Sequence, residues 1–228
     1  MIERDFVKQK KKEYQIQEFV AQNLKNVGHS KTRMQRTPLG EKIIVYASRP
    51  CLVVGREGQN IKNLTNALKR KFNLENPQIE IAEVENVNLD ANIVAERIAS
   101  SLERFGSSKF KGIGHKVMTD VMNAGALGIE IVISGKIPSS RAKSWRFYQG
   151  YLKKCGDIAL TGVDTAYAAA NLKSGVIGVQ VRIMPPQTKL PDHIEIIKDR
   201  QEVVEEVKEK SAEERKEKED KSKEEAGK

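Results

Sequence analysis

The stretch Leu52-Val53-Val54-Gly55-Arg56-Glu57-Gly58-Gln59-Asn60-Ile61-Lys62-Asn63-Leu64 decides how the first third of the chain is read. Two glycines three apart interrupt an apolar run, and Ile61 and Leu64 restart helical spacing just after the second. Without Cβ atoms, a turn built on Gly55 and Gly58 lets another backbone come very close. The helix that follows opens with free N–H groups that favour negative charge. Arg56 and Lys62 add positive side chains there. A plain helix–turn–helix shares this local pattern, so the flanking elements carry the decision.

Upstream, residues 3–27 read as a helix, with Ile16, Phe19, Val20, Leu24 and Val27 on one face and Gly28 to end it. Lys31–Thr37 and Glu41–Ser48 read as two strands joined by a turn at Thr37-Pro38-Leu39-Gly40. Pro50 starts a short helix ending near Val54, and Gln59–Phe72 is amphipathic, with Lys62, Lys69, Arg70 and Lys71 outward. Pro77–Val84 is a further strand. The order helix–strand–strand–helix–Gly-x-x-Gly–helix–strand resembles the type II KH fold and assigns it to residues 1–86. A KH turn of this kind clamps four nucleotides of single-stranded RNA. The resemblance implies that Gly55 and Gly58 admit a sugar–phosphate backbone, with Val53, Val54, Ile61 and Leu64 walling the groove. Glu57 departs from the pattern, because a carboxylate beside phosphate is unfavourable; it would have to pair with Arg56 or Lys62 and point away.

Residues 84–90 mark a change of composition, and Asp90 is placed to cap a helix over Ala91–Arg104. A second helix spans Phe110–Ala124. Leu127–Ser134, Ala142–Tyr151, Ala159–Ala170 and Val176–Met184 then read as strands. Two helices followed by a four-stranded, mainly antiparallel sheet give a second α+β domain at 87–186. Residues 187–228 read as an extended connection and a charged low-complexity tail, helical or disordered.

The 228 residues carry a formal net charge of +9, unevenly spread. Residues 199–228 hold 9 basic and 12 acidic side chains, so residues 1–198 carry +12. That excess favours a polyanionic partner. No apolar run is long enough to cross a bilayer and none resembles a signal peptide, so a soluble, cytoplasmic protein without membrane partners is expected. Cys51 and Cys155 form no framework, and His29, His115 and His193 are scattered; no metal and no cofactor is expected. The chain has no phosphate-binding Gly-x-x-x-x-Gly-Lys-[Ser/Thr] loop, no spaced carboxylate pair and no Ser/His/Asp set, so it reads as a non-enzyme with no catalytic residues.

Two further segments point to nucleic acid. The twenty residues Gly135–Lys154 contain Lys136, Arg141, Lys143, Arg146, Lys153 and Lys154, no acid, and four of the chain's twelve aromatics (Trp145, Phe147, Tyr148, Tyr151). In a strand, Arg141, Lys143, Trp145 and Phe147 share one face and Arg146 and Tyr148 the other. Cations bind phosphates and aromatics stack on bases, although Trp145 and Phe147 also suit a core. The start of the second helix carries Lys109, Lys111, His115 and Lys116, which equally fit a solvated helix face.

Several strings together resemble the universal small-subunit ribosomal protein three, in its archaeal/eukaryotic-type form. They are Gln35-Arg36-Thr37-Pro38, Val53-Val54-Gly55-Arg56-Glu57-Gly58, Gly125-Ala126-Leu127-Gly128-Ile129-Glu130-Ile131-Val132-Ile133-Ser134-Gly135-Lys136, Arg141-Ala142-Lys143, Gly150-Tyr151 and Gly175-Val176-Ile177-Gly178-Val179-Gln180-Val181. The resemblance covers about residues 1–186 and excludes the tail. It implies a structural protein of the small-subunit head that partners rRNA, neighbouring head proteins and mRNA in the channel where mRNA enters. Lys31, Arg33, Arg36 and the Gly135–Lys154 segment are then expected to hold rRNA, while Lys109 and Lys116 line the mRNA path and Lys111 is a further RNA-binding candidate beside them. Two other readings are compatible with the residues: a free KH regulator of single-stranded RNA, and a lysine-dependent DNA-nicking enzyme.

Overall fold

A computed structural model of the chain describes residues 2–192 and 194, apart from 26, 38, 39, 75 and 139. The middle of the expected 37–40 turn and the charged tail lie outside the described residues, as does nearly all of the 194–197 connection. Residues 1–188 form one compact unit.

The first half runs α1 (Ile2–Asn23), β1 (His29–Thr37), β2 (Gly40–Ala47), α2 (Pro50–Val54), α3 (Gln59–Phe72) and β3 (Gln78–Glu83). β1 pairs antiparallel with β2, and β2 pairs parallel with β3, so β2 is central. Ile43, Val45 and Ala47 of β2 alternate onto one face and meet Ile16, Val20, Leu64 and Leu68 from α1 and α3. Phe19 and Phe72 close that core edge-on, with ring centroids 5.7 Å apart. α1 stops at Asn23, short of the expected 27, because the chain must turn into β1. Gly28 takes φ +75°, and its carbonyl accepts from Ser48 N at 3.0 Å.

The second half runs α4 (Ala91–Phe105), α5 (Phe110–Asn123), β4 (Gly128–Gly135), β5 (Lys143–Gly150), α6 (Ile158–Thr161), β6 (Asp164–Leu172) and β7 (Gly175–Met184). The antiparallel sheet has the order β5-β4-β7-β6. Ile129, Ile131 and Ile133 of β4 and Val179, Val181 and Ile183 of β7 pack against Val94, Ile98 and Leu102 of α4 and Val117 and Val121 of α5. One expected element differs. Ala159–Ala170 is not a continuous strand: Ile158–Thr161 forms a helical turn after Gly156 at φ +81°, and pairing starts at Asp164. Short apolar runs carry no period that separates a helical turn from a strand.

α4 joins the halves. Asp90 caps it, with Oδ1 accepting from Asn92 N at 3.0 Å and Ile93 N at 3.3 Å. Its other oxygen accepts from Ser30 Oγ of β1, and Asn92 Nδ2 donates to Ser30 O at 2.9 Å. Burial and the neighbouring Asp90 push the Asp164 carboxyl above its ordinary pKa, with Lys31 opposing. Burial likewise pulls His29 below its ordinary pKa against the opposing charge of Asp90.

Candidate nucleic-acid interface

The glycine turn forms as a single tight turn, Arg56–Gly58, between α2 and α3. Gly55 (φ +72°), Glu57 (φ +54°) and Gly58 (φ +73°) are all left-handed, so the chain doubles back within four residues. A Cβ at Gly55 would lie 2.6 Å from the Asn60 amide, which itself donates to Leu52 O at 3.2 Å. A Cβ at Gly58 would meet nothing within 4 Å, so this side of the turn is open to an approaching chain. Arg56, Glu57 and Lys62 are exposed, and Glu57 forms no ion pair among the described residues. Of the four apolar residues expected to wall a groove, Val53 and Leu64 are core, while Val54 and Ile61 are part-exposed.

The β1 cations do not form one surface. Lys31 and Arg33 lie on the sheet face opposite the helices, beside Ile44 and Tyr46 of β2, and Lys31 Nζ sits 5.4 Å from the Tyr46 ring centre. Arg36 alternates onto the other face and is exposed at the far end of the strand.

The second half brings together cations that are far apart in sequence. Phe147 is buried against α5, and Gly114 makes the room: a Cβ there would approach Phe147 Cε2 to 2.9 Å. His115 stacks edge-on against Phe147, with centroids 5.2 Å apart. Trp145, two residues earlier, packs edge-on against Phe110 at 5.7 Å and remains part-exposed. Over its ring sit Lys111 Nζ of α5 at 4.7 Å and Lys143 Nζ of β5 at 5.2 Å. Beyond the end of β4, Lys136 and Arg141 line a cleft of about 400 Å³ with Ser107, just before α5. Lys109 is exposed over Phe105, and Lys116 is exposed further along α5. The two basic segments therefore meet at one end of the second sheet, around the chain's single tryptophan. Such a surface offers phosphate-binding charge beside a flat aromatic edge.

Arg146 is differently engaged. It points to the sheet face away from the helices, where Glu130 of β4 is only 2 % exposed. Three cations cover that carboxylate: Arg146 Nε on Oε1, Lys154 Nζ at 2.7 Å, and Arg182 Nη1 of β7 at 3.2 Å. Burial alone would raise the Glu130 pKa, but the hydrogen bonds from Lys154 and Arg146 outweigh it and hold the carboxyl below the usual range. The acid-free run thus folds across an acid from a neighbouring strand. The cations are 53 %, 47 % and 36 % exposed and keep outward-facing surface beside Tyr148, so the cluster carries a net charge of +2. Arg182 is absent from the sequence-based candidates. Its alternation with Val181 and Ile183 was the available signal that it faces outward.

Among the described residues no group of three or more His, Cys, Asp or Glu side chains is arranged for a metal ion, and no helix is long and apolar enough to cross a membrane.

Comparison with known proteins follows the same division. A KH-domain family model matches residues 15–89, and the model described as "Ribosomal protein S3, C-terminal domain" matches residues 98–183. The small ribosomal subunit protein uS3 of Methanocaldococcus jannaschii is 46% identical over 209 residues, which are 92% of this chain and 99% of the relative. The chain belongs to the uS3 family. The uS3 proteins of Methanobrevibacter smithii and Methanococcus aeolicus are 43% and 40% identical, covering 90% and 87% of this chain and 82% and 94% of theirs. Membership in uS3 identifies a KH-containing ribosomal protein rather than an enzyme, in agreement with the sequence resemblance.

Proposed function

We propose that this uS3-family chain is a cytoplasmic structural constituent of the small-subunit head, binding rRNA through its second domain and lying beside the channel where mRNA enters. The division at residues 86/87 and the charged tail from 187 belong to this reading. The observation that carries it is the convergence of Lys111 and Lys143 over Trp145, next to the Lys136–Arg141 cleft. Lys31, Arg33, Arg36 and the outward surface of Arg146 supply further phosphate contacts. Lys109 and Lys116 face mRNA. Gly55, Arg56, Gly58 and Lys62 form an auxiliary contact, because Glu57 weakens the turn as a phosphate grip.

The test is filter binding of small-subunit rRNA fragments across a salt series. Each phosphate contact released lowers the slope of log affinity against log salt by about 0.7–0.9. Lys111→Ala/Lys143→Ala should therefore flatten the slope by about 1.5 and change Trp145 fluorescence in the complex. An unchanged slope would overturn the assignment. If Gly58→Asp abolishes binding of single-stranded RNA while the double-lysine variant binds normally, the free KH regulator becomes the better reading.

A further inference from the structure

Arg97, on α4, donates from Nη1 to Asn88 Oδ1 at 3.0 Å. Its Nε and Nη2 are buried and have no hydrogen-bond partner among the described residues. These two nitrogens form the side-on fork of the guanidinium, whose parallel N–H groups match two oxygens of one anion. Buried charged donors left unmatched are uncommon and costly in native proteins. Arg97 lines a cleft of about 690 Å³ between the β2–α2 turn and α4. Arg49 and Arg104, both exposed and neither ion-paired among the described residues, also line it. Ser48, Ser100 and Ser101 add hydroxyls, and Glu96 is the one carboxylate of the lining. Ser101 Oγ donates to Arg97 O at 2.7 Å and Ser48 Oγ to Val27 O at 3.4 Å, which leaves Ser100 with its hydroxyl uncommitted among the described residues.

We infer that this cleft binds a phosphate group, gripped by the Nε/Nη2 fork of Arg97 and surrounded by Arg49, Arg104 and Ser100. A carboxylate would be satisfied by one fork. Three guanidinium groups with a net lining charge of +2 instead suit a tetrahedral anion whose oxygens point in several directions. The fork is shielded from solvent, so binding requires a small swing of the Arg97 guanidinium toward the cleft. None of these residues belongs to the rRNA contacts proposed above, and the inference does not rest on them.

The experiment uses the full chain and inorganic phosphate, exchanged for chloride at constant ionic strength. Arginine Nε–H resonances are followed by NMR and unfolding by a thermal scan. The expected result is a saturable shift of the Arg97 Nε–H resonance and a rise in Tm that follows phosphate concentration. Arg49→Met/Arg104→Met removes only exposed side chains and should weaken binding by about tenfold or more. Arg97→Gln should abolish the Tm response. A linear, unsaturated shift, or an equal response in the double-methionine variant, would overturn the site. A short uridine oligonucleotide separates the two sources of phosphate. Displacement of phosphate by the oligonucleotide assigns the cleft to an RNA backbone, and independent binding assigns it to a free phosphate compound; either outcome upholds the phosphate site. Failure of rRNA binding in the filter assay would leave the phosphate titration unaffected.

Discussion

Replacing Glu130 by glutamine keeps the size of the side chain and removes its charge. Arg146, Lys154 and Arg182 would then face a neutral amide, and one amide edge would present donors to donors. Breaking a fully buried ion pair from one side costs about 3–5 kcal/mol. Here the acid is 2 % exposed but its partners are 53 %, 47 % and 36 % exposed and stay partly hydrated. The expected loss is therefore smaller, about 2 kcal/mol at neutral pH. At about 2–4 °C per kcal/mol for a unit of this size, Tm should fall by about 4–8 °C. Thermal unfolding of wild type and Glu130→Gln, repeated from neutral pH into acid, reads both magnitude and cause. The folded carboxyl titrates below the usual carboxylate range. Its contribution is thus complete above the unfolded-state pKa of about 4.3 and disappears as pH falls through the depressed folded value. The two Tm curves should converge in acid. A neutral-pH difference under about 1 °C, or a gap that persists unchanged into acid, would refute the electrostatic account.

Other substitutions probe the packing. Gly114→Ala should destabilise by about 1–3 kcal/mol, since its Cβ would press on the Phe147 ring. Gly112→Ala, in the same helix with nothing within 4 Å, should stabilise by about 0.5–1 kcal/mol; urea midpoints separate the two. Asp90→Ala should cost about 1–2 kcal/mol and speed hydrogen exchange at the Asn92 and Ile93 amides. Asp90→Asn keeps a capping oxygen but removes a charge, so the raised Asp164 pKa should move down toward its ordinary value in a carboxyl NMR titration.

Regular periodicity made most of the elements legible. The 3.6-residue spacing of Ile61, Leu64, Leu68 and Phe72 marked α3, and Asp90 announced the start of α4 through its capping chemistry. The helical turn at Ile158–Thr161 was hidden because four residues make no period, and the alanine-rich run after it suits either state. For the candidate interface, sequence supplied the cations but not their neighbours. That Lys111 and Lys143 share one tryptophan depends on Gly114 admitting Phe147, a long-range packing fact. That Arg146 covers an acid depends on Glu130 lying one strand away, which only the register between β4 and β5 reveals. The Arg97 fork was invisible for the same reason: a charged residue within an amphipathic helix looks solvated until the opposite wall is in place.

The strand orders carry one more consequence. β1 and β5 each lie at the rim of a sheet, with a row of backbone donors and acceptors that another chain could extend. Those rims bear Lys31, Arg33 and Arg36 on β1 and Lys143 and Arg146 on β5. Mutual repulsion of these side chains discourages two copies from zipping together rim to rim while the protein is still unassembled. The cations proposed to hold RNA therefore also disfavour edge pairing of the free chain, so their neutralisation should lower its solubility even where no RNA is present.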